Sequence, residues 1–363
     1  MSVNERHGDS EHRADIKKRQ FYLGVDGGGT KTKFTVCRIA PGDESRGTAT
    51  PHAPAADATC DTAAPPWGTI AGEYTSTCCH YLQIGFDGLE NLMREGIAAV
   101  CEQVRQNPDA GAPDFSPADI RHAFFGLAGY ADIITDDPKI DAAVRRAVDG
   151  LAPFPYRMGN DCENALAGAL AGAPGINIIA GTGSVGCGRD QHGGYYRCGG
   201  WNHALGGDEG SAYWIALRLL HSFQRQSDGR DEKTALYQAV IDALSLPSDD
   251  AMVTRIVGDW NMDRTRIASL SPIVSKLAAA GDPRAKEILA EAARELTDCA
   301  IAIKARLDFS GDVPVSGTGG IFRIGPDLID PFDRILHQHG MHYVPPLYEP
   351  DLGSVLLAAR DYE

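Results

Sequence analysis

The chain has 363 residues, enough for two domains of ordinary size, and its 43% hydrophobic and 23% charged residues are a globular composition. The formal net charge of −15 disfavours broad contact with a phosphate backbone, so we expect no nucleic acid partner. The sequence has no run of about 18 apolar residues that could cross a membrane, and its nine cysteines show no C-x-x-C pair, which is typical of reduced thiols in the cytoplasm.

The N-terminal part of the chain is predicted to be a polar tail followed by three strands. Residues 1–20 lack the apolar core of a signal peptide and are predicted to be disordered. Strand patterns occur at 21–26, 33–40 and 69–74, and they flank residues 41–67, a segment rich in Pro, Ala, Thr and Asp. We interpret this segment as a surface insertion between strands.

Helices and strands then alternate up to the middle of the chain. The first helix is indicated by apolar residues at three- and four-residue spacing: Leu89, Leu92, Met93, Ile97, Val100 and Val104. The run 123-AFFGLAG-129 predicts a buried strand, followed by a helix near 138–151. An extended segment, 156-YRMGND-161, leads into a helix of small residues over 162–172.

The second half repeats the strand–glycine turn–strand pattern of the first and is otherwise mostly helical. The repeat is 175-GINIIAGTGSVGCGRD-190, and one apolar face marks a long helix over 285–307. A further strand and glycine turn, 313-VPVSGTGGIF-322, precedes a C-terminal helix around 353–360. The sequence therefore indicates an α/β protein made of two related halves.

The first glycine turn, in 21-FYLGVDGGGTKTKFTVCRI-39, is predicted to bind a phosphate. Successive turn N–H groups form an anion-binding concavity, to which Thr30 adds a hydroxyl; taken alone, the turn is also compatible with a tight hairpin. It is not a P-loop, because Thr30 stands at the lysine position and a strand follows. Asp26 beside a phosphate requires a cation, which favours Mg²⁺, whereas Lys31 could contact a phosphate or face solvent.

The second glycine turn matches G-x-G-x-x-G over Gly181–Gly186. A dinucleotide fold requires a helix after this motif and an acidic residue about 20 positions on. Here more glycines and Tyr195-Tyr196 follow, a β-hairpin pattern, so the dinucleotide interpretation is disfavoured.

With 160-ND-161 and 315-VSGTGGIF-322 added to the two turns, the chain resembles the actin/hexokinase-like ATPase superfamily. The block 198-CGGWNHALGGDEGSAYWIALRLL-220 is similar to that of N-acetylglucosamine kinases, which are grouped with the BadF-type ATPases. The resemblance covers 21–363 apart from the insertion. It implies a two-lobed, ribonuclease H-like α/β fold with a cleft between lobes 21–171 and 172–363, the C-terminal helix packing back on the first lobe.

The resemblance also implies roles for individual residues. Asp26 would lie near Mg²⁺ through water, and Asp161 would be the catalytic base. The implied nucleotide-binding residues are Gly27, Gly28, Gly29, Thr30, Lys31, Gly181, Thr182, Gly183, Gly319 and Gly320. The implied sugar-binding residues are His80, Asn160, Asp161, Ser184, Gly200, Trp201, Asn202 and Asp208. His80 departs from the family, which tends to have an asparagine at that position, so the exact amino sugar stays open.

Several of these residues have a structural interpretation beside the functional one. Asp161 starts a helix, and so do Asp208 and Glu209, where an aspartate is a favoured N-cap. Trp201 could be a core residue or a platform for a sugar, and we interpret Cys198 as structural. A metal site at Cys78-Cys79-His80 is disfavoured, because adjacent ligands rarely complete a tetrahedral site.

The resemblance implies a cytoplasmic kinase that uses ATP and Mg²⁺ to phosphorylate the 6-hydroxyl of an amino sugar, most closely N-acetylglucosamine, giving the 6-phosphate and ADP. Closure of two domains would exclude water, and a homodimer is expected because relatives often form one. The alternatives are a glucosamine kinase, a BadF-type ATPase that activates a reductase or dehydratase through an iron–sulfur cluster, and a non-catalytic sugar sensor.

Overall fold

The structure is a computed structural model that describes residues 20–39 and 67–360. The predicted disordered tail and the predicted insertion lie outside the described residues, apart from Gln20 and Trp67. Internal contacts divide the chain into two compact units. Unit 1 contains the described residues up to Ala173 together with those from Pro346 onward, and unit 2 is Pro174–Pro345.

Unit 1 is built on a five-stranded mixed sheet of order β3-β2-β1-β4-β5. Its strands are β1 (Gln20–Gly27), β2 (Lys31–Ile39), β3 (Thr69–Thr77), β4 (Ile120–Leu127) and β5 (Tyr156–Asn160). Its helices are α1 (Tyr81–Gln106), α2 (Asp137–Asp149), α3 (Asp161–Ala169) and α11 (Pro350–Arg360), with short 3₁₀ helices at Pro108–Ala110 and Pro117–Asp119. β1 pairs antiparallel with β2 and parallel with β4.

Both faces of the unit 1 sheet are covered, which explains why β1 is apolar on both sides. Alternate side chains of a strand point to opposite faces. Phe21, Leu23 and Val25 accordingly pack in the cluster formed with α1 and α2, whereas Tyr22 packs with the residues of α11. The sheet is therefore the middle layer of three.

The C-terminal helix α11 is the most deeply buried helix of unit 1, with every residue from Asp351 to Ala359 buried. A Cβ atom added at Gly24 of β1 would stand 2.5 Å from the Asp351 carbonyl oxygen and 2.6 Å from the Val355 nitrogen. A Cβ atom at Gly353 would stand 2.0 Å from the Asn164 carbonyl oxygen of α3. Glycines at these positions let α11 approach the sheet and α3 at backbone distance.

Unit 2 has the same sheet plan, with strand order β10-β9-β6-β7-β8. The strands are β6 (Gly175–Ala180), β7 (Ser184–Arg189), β8 (Tyr195–Gly199), β9 (Val313–Thr318) and β10 (Met341–Val344). β6 pairs antiparallel with β7 and parallel with β9, as β1 does with β2 and β4 in unit 1. The predicted α/β fold of two related halves is confirmed.

Most helices of unit 2 lie between β8 and β9 in the chain, and they form one hydrophobic core with the sheet. They are α4 (Ala212–Ser227), α5 (Ala235–Leu244), α6 (Ala251–Val253), α7 (Arg264–Ala268), α8 (Ser271–Ala279), α9 (Pro283–Lys304) and α10 (Pro326–Gln338). A π-helix continues α6 over Thr254–Asp259, and 3₁₀ helices occupy His203–Leu205 and Gly320–Ile324. The predicted strand and glycine turn within 313–322 are confirmed: β9 ends at Thr318, and Gly319 leads into the last of these 3₁₀ helices.

Candidate functional site

The first glycine turn joins β1 to β2 in unit 1. Its ends are closed by a hydrogen bond of 3.0 Å from the Gly28 N–H to the Lys31 carbonyl, so the turn is a tight hairpin as well as a candidate phosphate site. Gly29, Thr30 and Lys31 are exposed at its tip. Gly27 lies beneath the tip, where a Cβ atom would come 2.5 Å from the Cys79 sulfur.

The second glycine turn joins β6 to β7 in unit 2. The Gly181 N–H donates to the Gly183 carbonyl at 2.9 Å. The N-terminus of α4 is fastened to this turn, because Ala212 N–H donates to the Gly181 carbonyl at 2.9 Å and Tyr213 N–H to the Thr182 carbonyl at 3.3 Å. The carbonyls of the turn are therefore used within the fold.

Three glycines in the predicted nucleotide segments have no structural reason to be glycine. At Gly29, Gly181 and Gly320 the backbone is outside the left-handed region, and a Cβ atom would meet no atom within 4 Å. Among the described glycines these three alone combine both properties, since every other one has a positive φ or a neighbour within 4 Å. Close approach of a ligand to the main chain is the remaining reason for omitting the side chain.

Asp26 lies at the end of β1, and burial is the main cause that raises its pKa to about 7. The Asn164 side chain donates to its Oδ1 at 2.8 Å, which opposes the rise. The charges of Asp161 and Asp351 raise the pKa further, whereas exposed Lys31 is near enough to lower it. The carboxylate is thus held by Asn164 in a negatively charged surrounding that a cation would relieve.

These surroundings fit a magnesium ion that Asp26 holds through water. The described residues contain no group of three or more His, Cys, Asp or Glu side chains that could hold a metal alone. Mg²⁺ commonly keeps several waters and takes one or two carboxylates plus phosphate oxygens. A single carboxylate at the first glycine turn matches that donor set.

Asp161 is the first residue of α3, directly after β5, and is half-buried. The interpretation of Asp161 as the N-cap is wrong, because Asn160 holds that position. The Asn160 side-chain oxygen accepts from the Cys162 N–H at 3.0 Å, and its amide donates to the Tyr130 carbonyl at 2.7 Å. Capping by Asn160 fixes the start of the helix and so presents the Asp161 carboxylate from a rigid place.

His80 is the N-cap of α1, where its Nδ1 accepts from the Leu82 N–H at 3.3 Å. This hydrogen bond assigns the proton of the neutral ring to Nε2. Burial lowers the pKa of His80, which favours the neutral form. The ring lies against Gly129, just after β4, where a Cβ atom would be 3.0 Å from its Cε1.

The loop after β8 carries the other predicted sugar residues. Gly199 and Gly200 both have a positive φ, 74° and 70°. Trp201 is 73% exposed, so the interpretation of Trp201 as a core residue is wrong. Asn202 caps the 3₁₀ helix His203–Leu205, its side-chain oxygen accepting from the Ala204 N–H at 2.9 Å.

Asp208 and Ser184 are both buried and are connected through the second glycine turn. The Ser184 N–H donates to Asp208 Oδ1 at 3.1 Å, and its hydroxyl donates to the Glu209 carbonyl at 2.6 Å. Asp208 also forms an ion pair of 2.7 Å with Arg264. The N-cap interpretation of Asp208 and Glu209 is wrong, because α4 begins later and is capped by Ser211.

The remaining predicted positions lie at the turn after β9. Gly319 has φ 95°, and a Cβ atom there would be 2.4 Å from the Ala180 carbonyl oxygen. Gly320 follows at the start of the 3₁₀ helix. Asn177 of β6 donates to Thr318 Oγ1 at 3.1 Å, which ties this turn to the strand before the second glycine turn.

Two residues beside the predicted site were missed from the sequence. Asn164 holds Asp26 from one helical turn after Asp161, and this three-residue spacing is the signal that could have found it. Arg264 lies 56 positions from its partner Asp208, and no local pattern connects the two.

Three similar proteins are instructive. The N-acetylmuramic acid/N-acetylglucosamine kinase of Clostridium acetobutylicum is 36% identical over 179 residues, which cover 49% of this chain and 58% of that protein. The N-acetyl-D-glucosamine kinase of Dictyostelium discoideum is 26% identical over 347 residues, covering 94% of this chain and 98% of the other.

A solved structure from Chromobacterium violaceum, assigned as an N-acetylglucosamine kinase, has a TM-score of 0.65. It is 26% identical, and the match covers 93% of this chain and 98% of that one. Among the described residues, no helix combines the length and apolarity needed to cross a membrane. The predicted resemblance is confirmed, because the family model matches residues 23–358: this chain is an enzyme of the BadF/BadG/BcrA/BcrD ATPase family.

Proposed function

We propose that this protein is an ATP-dependent kinase that transfers the terminal phosphoryl group of ATP to the 6-hydroxyl of N-acetylglucosamine, giving the 6-phosphate and ADP. The observation that carries the proposal is the set of three bare glycines, Gly29, Gly181 and Gly320, for which neither backbone angle nor packing requires glycine. All three lie in the segments predicted to bind the nucleotide. The amino sugar as the acceptor comes from the names of the relatives from Clostridium and Dictyostelium.

Asp161 is the proposed catalytic base. As the sugar oxygen attacks the terminal phosphorus, the bond from that phosphorus to the bridging oxygen breaks and ADP leaves. The Asp161 carboxylate accepts the proton of the hydroxyl in this step. The rigid junction of β5 and α3, fixed by the Asn160 cap, keeps the carboxylate in one orientation.

Asp26 is the proposed residue for magnesium, and Asn164 keeps its carboxylate oriented. Bound there, magnesium would neutralise negative charge on the phosphates. Turn N–H groups near Gly29 and Gly181, with the hydroxyls of Thr30 and Thr182, are the proposed phosphate donors. His80, Trp201 and Asn202 are the proposed sugar contacts, and the Nε2–H of a neutral His80 is the type of donor that an acetamido carbonyl accepts.

Free glucosamine is the alternative acceptor for the same chemistry. Its ammonium group would favour a carboxylate, whereas an acetamido group favours an amide or imidazole partner and an apolar surface. The half-buried, neutral imidazole of His80 and the exposed ring of Trp201 favour the acetamido sugar. A homodimer and a cytoplasmic location remain predictions.

The test is an assay that couples ADP release to a panel of acceptors: N-acetylglucosamine, glucosamine, N-acetylmuramic acid, glucose and no sugar. We expect the highest kcat/KM with N-acetylglucosamine, and a phosphorus–proton NMR correlation that places the phosphate on O6. ADP release that no sugar stimulates would contradict the proposal and favour an ATPase activator. Iron in the purified protein would point the same way.

A further inference from the structure

A chain of contacts runs from Arg264 to the second glycine turn. The Arg264 Nη2 donates to Asp208 Oδ2 at 2.7 Å, and Asp208 Oδ1 accepts from the Ser184 N–H at 3.1 Å. Both carboxylate oxygens of Asp208 are therefore engaged, one by the guanidinium and the other by the backbone of the turn. The Ser184 hydroxyl donates to the backbone carbonyl of Glu209, and this bond fastens the end of the turn to the residue after Asp208.

The same pair packs directly on Gly183. A Cβ atom at Gly183 would stand 2.2 Å from Arg264 Nη2 and 2.6 Å from Asp208 Oδ1. Gly183 thus differs from Gly181 in the same turn, which has open space at that position. The fold requires glycine at Gly183 because the ion pair occupies the space that a side chain would fill.

The backbone is strained at both ends of this ion pair. Asp208 has φ 67°, and two successive residues before α7, Asn261 and Met262, have φ 48° and 55°. This region costs about 1 kcal/mol or more for a residue such as Met262, and less for Asp and Asn, which adopt it more readily. The π-helix Thr254–Asp259 comes just before them, and π-helical turns are frequent at functional sites.

We propose that Arg264 is a positioning residue that fixes the second glycine turn, Gly181–Ser184, through Asp208, so that the N–H groups of Thr182 and Gly183 are oriented toward a nucleotide phosphate. The inference rests on the proposed function and adds to it a residue that the predicted site lacked. The ion pair has a second effect. It neutralises the carboxylate next to the turn, and an unpaired carboxylate there would repel a phosphate.

The experiment measures ADP affinity by titration calorimetry, and KM for ATP and for N-acetylglucosamine by ADP release, in Arg264→Met, Arg264→Gln and Arg264→Lys. We expect Arg264→Met to weaken ADP binding and raise KM for ATP at least about tenfold, the effect of losing a buried charge partner. The rise in KM for ATP should exceed the change in KM for the sugar at least about threefold, because Arg264 acts on the phosphate turn through Asp208. Arg264→Lys should bring ADP affinity back to within about threefold of the unchanged protein, since an ammonium group restores the charge beside Asp208 Oδ2.

Arg266→Met is the matched control, because Arg266 is an exposed arginine on the same short helix; its ADP affinity should be unchanged. A double variant, Arg264→Met with Asp208→Asn, should bind ADP no more weakly than the weaker single variant if the two residues act as one unit. Full additivity, or ADP affinity within twofold in both Arg264→Met and Arg264→Gln, would overturn the proposal. If Arg264→Met does not fold, Arg264→Gln decides.

The proposed function can fail separately. If the unchanged protein phosphorylates no sugar but its ADP affinity falls in the Arg264 variants, the amino-sugar kinase assignment is wrong and the role of Arg264 stands. If the unchanged protein phosphorylates N-acetylglucosamine and the variants bind ADP normally, Arg264 has no positioning role and the kinase assignment stands.

Discussion

The two units share one sheet plan but support their glycine turns with opposite electrostatics. In unit 1 Asp26 is the next-to-last residue of the strand before the turn, and its surroundings include the charges of Asp161 and Asp351. In unit 2 the corresponding strand ends with apolar Ile179 and Ala180, and the nearby carboxylate, Asp208, is paired with Arg264. The two units thus provide turns of similar shape with different charges around them: three carboxylates, those of Asp26, Asp161 and Asp351, at the first, and an aspartate paired with an arginine at the second. We infer that the reactive groups belong to unit 1 and that unit 2 mainly binds.

Asp161→Asn tests whether the reactive groups belong to unit 1, and it should have the largest effect. A general base contributes about a hundredfold to ten-thousandfold to rate, so kcat should fall about a thousandfold while ADP affinity stays the same. Steady-state ADP release and titration calorimetry measure the two quantities. Asp149→Asn, an exposed aspartate at the end of α2, is the control. Near-full turnover in Asp161→Asn would remove it from the base role.

Asp351→Ala tests the buried charges that hold α11 in unit 1. Asp351 is 1% exposed and accepts from Thr35 Oγ1 at 2.6 Å, with Lys33 at 3.0 Å. Removing one partner of a buried pair commonly costs about 3–5 kcal/mol. We expect about 3 kcal/mol here, at the lower end, because Lys33 keeps Glu73 at 2.7 Å. Urea unfolding measures the loss, and the exposed Asp330→Ala of α10 should change stability by less than about 0.5 kcal/mol.

Asp26→Asn separates stability from activity. The pKa of Asp26 is raised to about 7, so between its unfolded pKa of about 4 and 7 the folded state binds more protons than the unfolded state. Stability contributed by Asp26 is therefore lost as pH rises through that window. Asp26→Asn should be more stable than the unchanged protein by about 4 kcal/mol at pH 8, and the difference should vanish near pH 4.

Urea unfolding at several pH values, without magnesium or nucleotide, measures this difference. Activity should fall, since the amide cannot replace the carboxylate at the proposed magnesium site. A variant that is less stable than the unchanged protein at pH 8 would contradict the effect of burial on this carboxylate.

The smallest expected effects concern the bare glycines, and they test the likeness between the two turns. Gly29→Ala and Gly181→Ala should leave stability unchanged or raise it by up to about 1 kcal/mol, because alanine restricts the unfolded chain. Each should raise KM for ATP about tenfold, which corresponds to about 1.4 kcal/mol. Gly183→Ala is the contrasting variant: it should destabilise unit 2, because its Cβ meets the ion pair. Thermal unfolding and ADP release distinguish the two outcomes.

The sequence was sufficient to predict both strand–turn–strand elements and the positions of Asp26 and Asp161 at strand ends, since the apolar pattern marks those ends; the roles of the two carboxylates remain predictions. It did not predict that Asn160 rather than Asp161 caps α3, because both residue types are favoured at a helix start. The contact of Arg264 could not be predicted from the sequence for another reason. Its contact with Asp208 depends on the path of the chain through the π-helix and two left-handed residues, none of which has a sequence signature.

The placement of α11 beside β1 has a consequence for the order in which the protein folds during its synthesis. The residues of unit 2 leave the ribosome before Pro350–Arg360 do, whereas unit 1 lacks one layer of its packing until that helix has emerged. Unit 2 is thus the part that can complete its own core first, although the first strand of unit 1 is translated long before it. A stalled nascent chain that ends unit 2 at Pro345 and continues in a linker long enough to fill the exit tunnel should carry a protease-resistant unit 2 and a protease-sensitive unit 1.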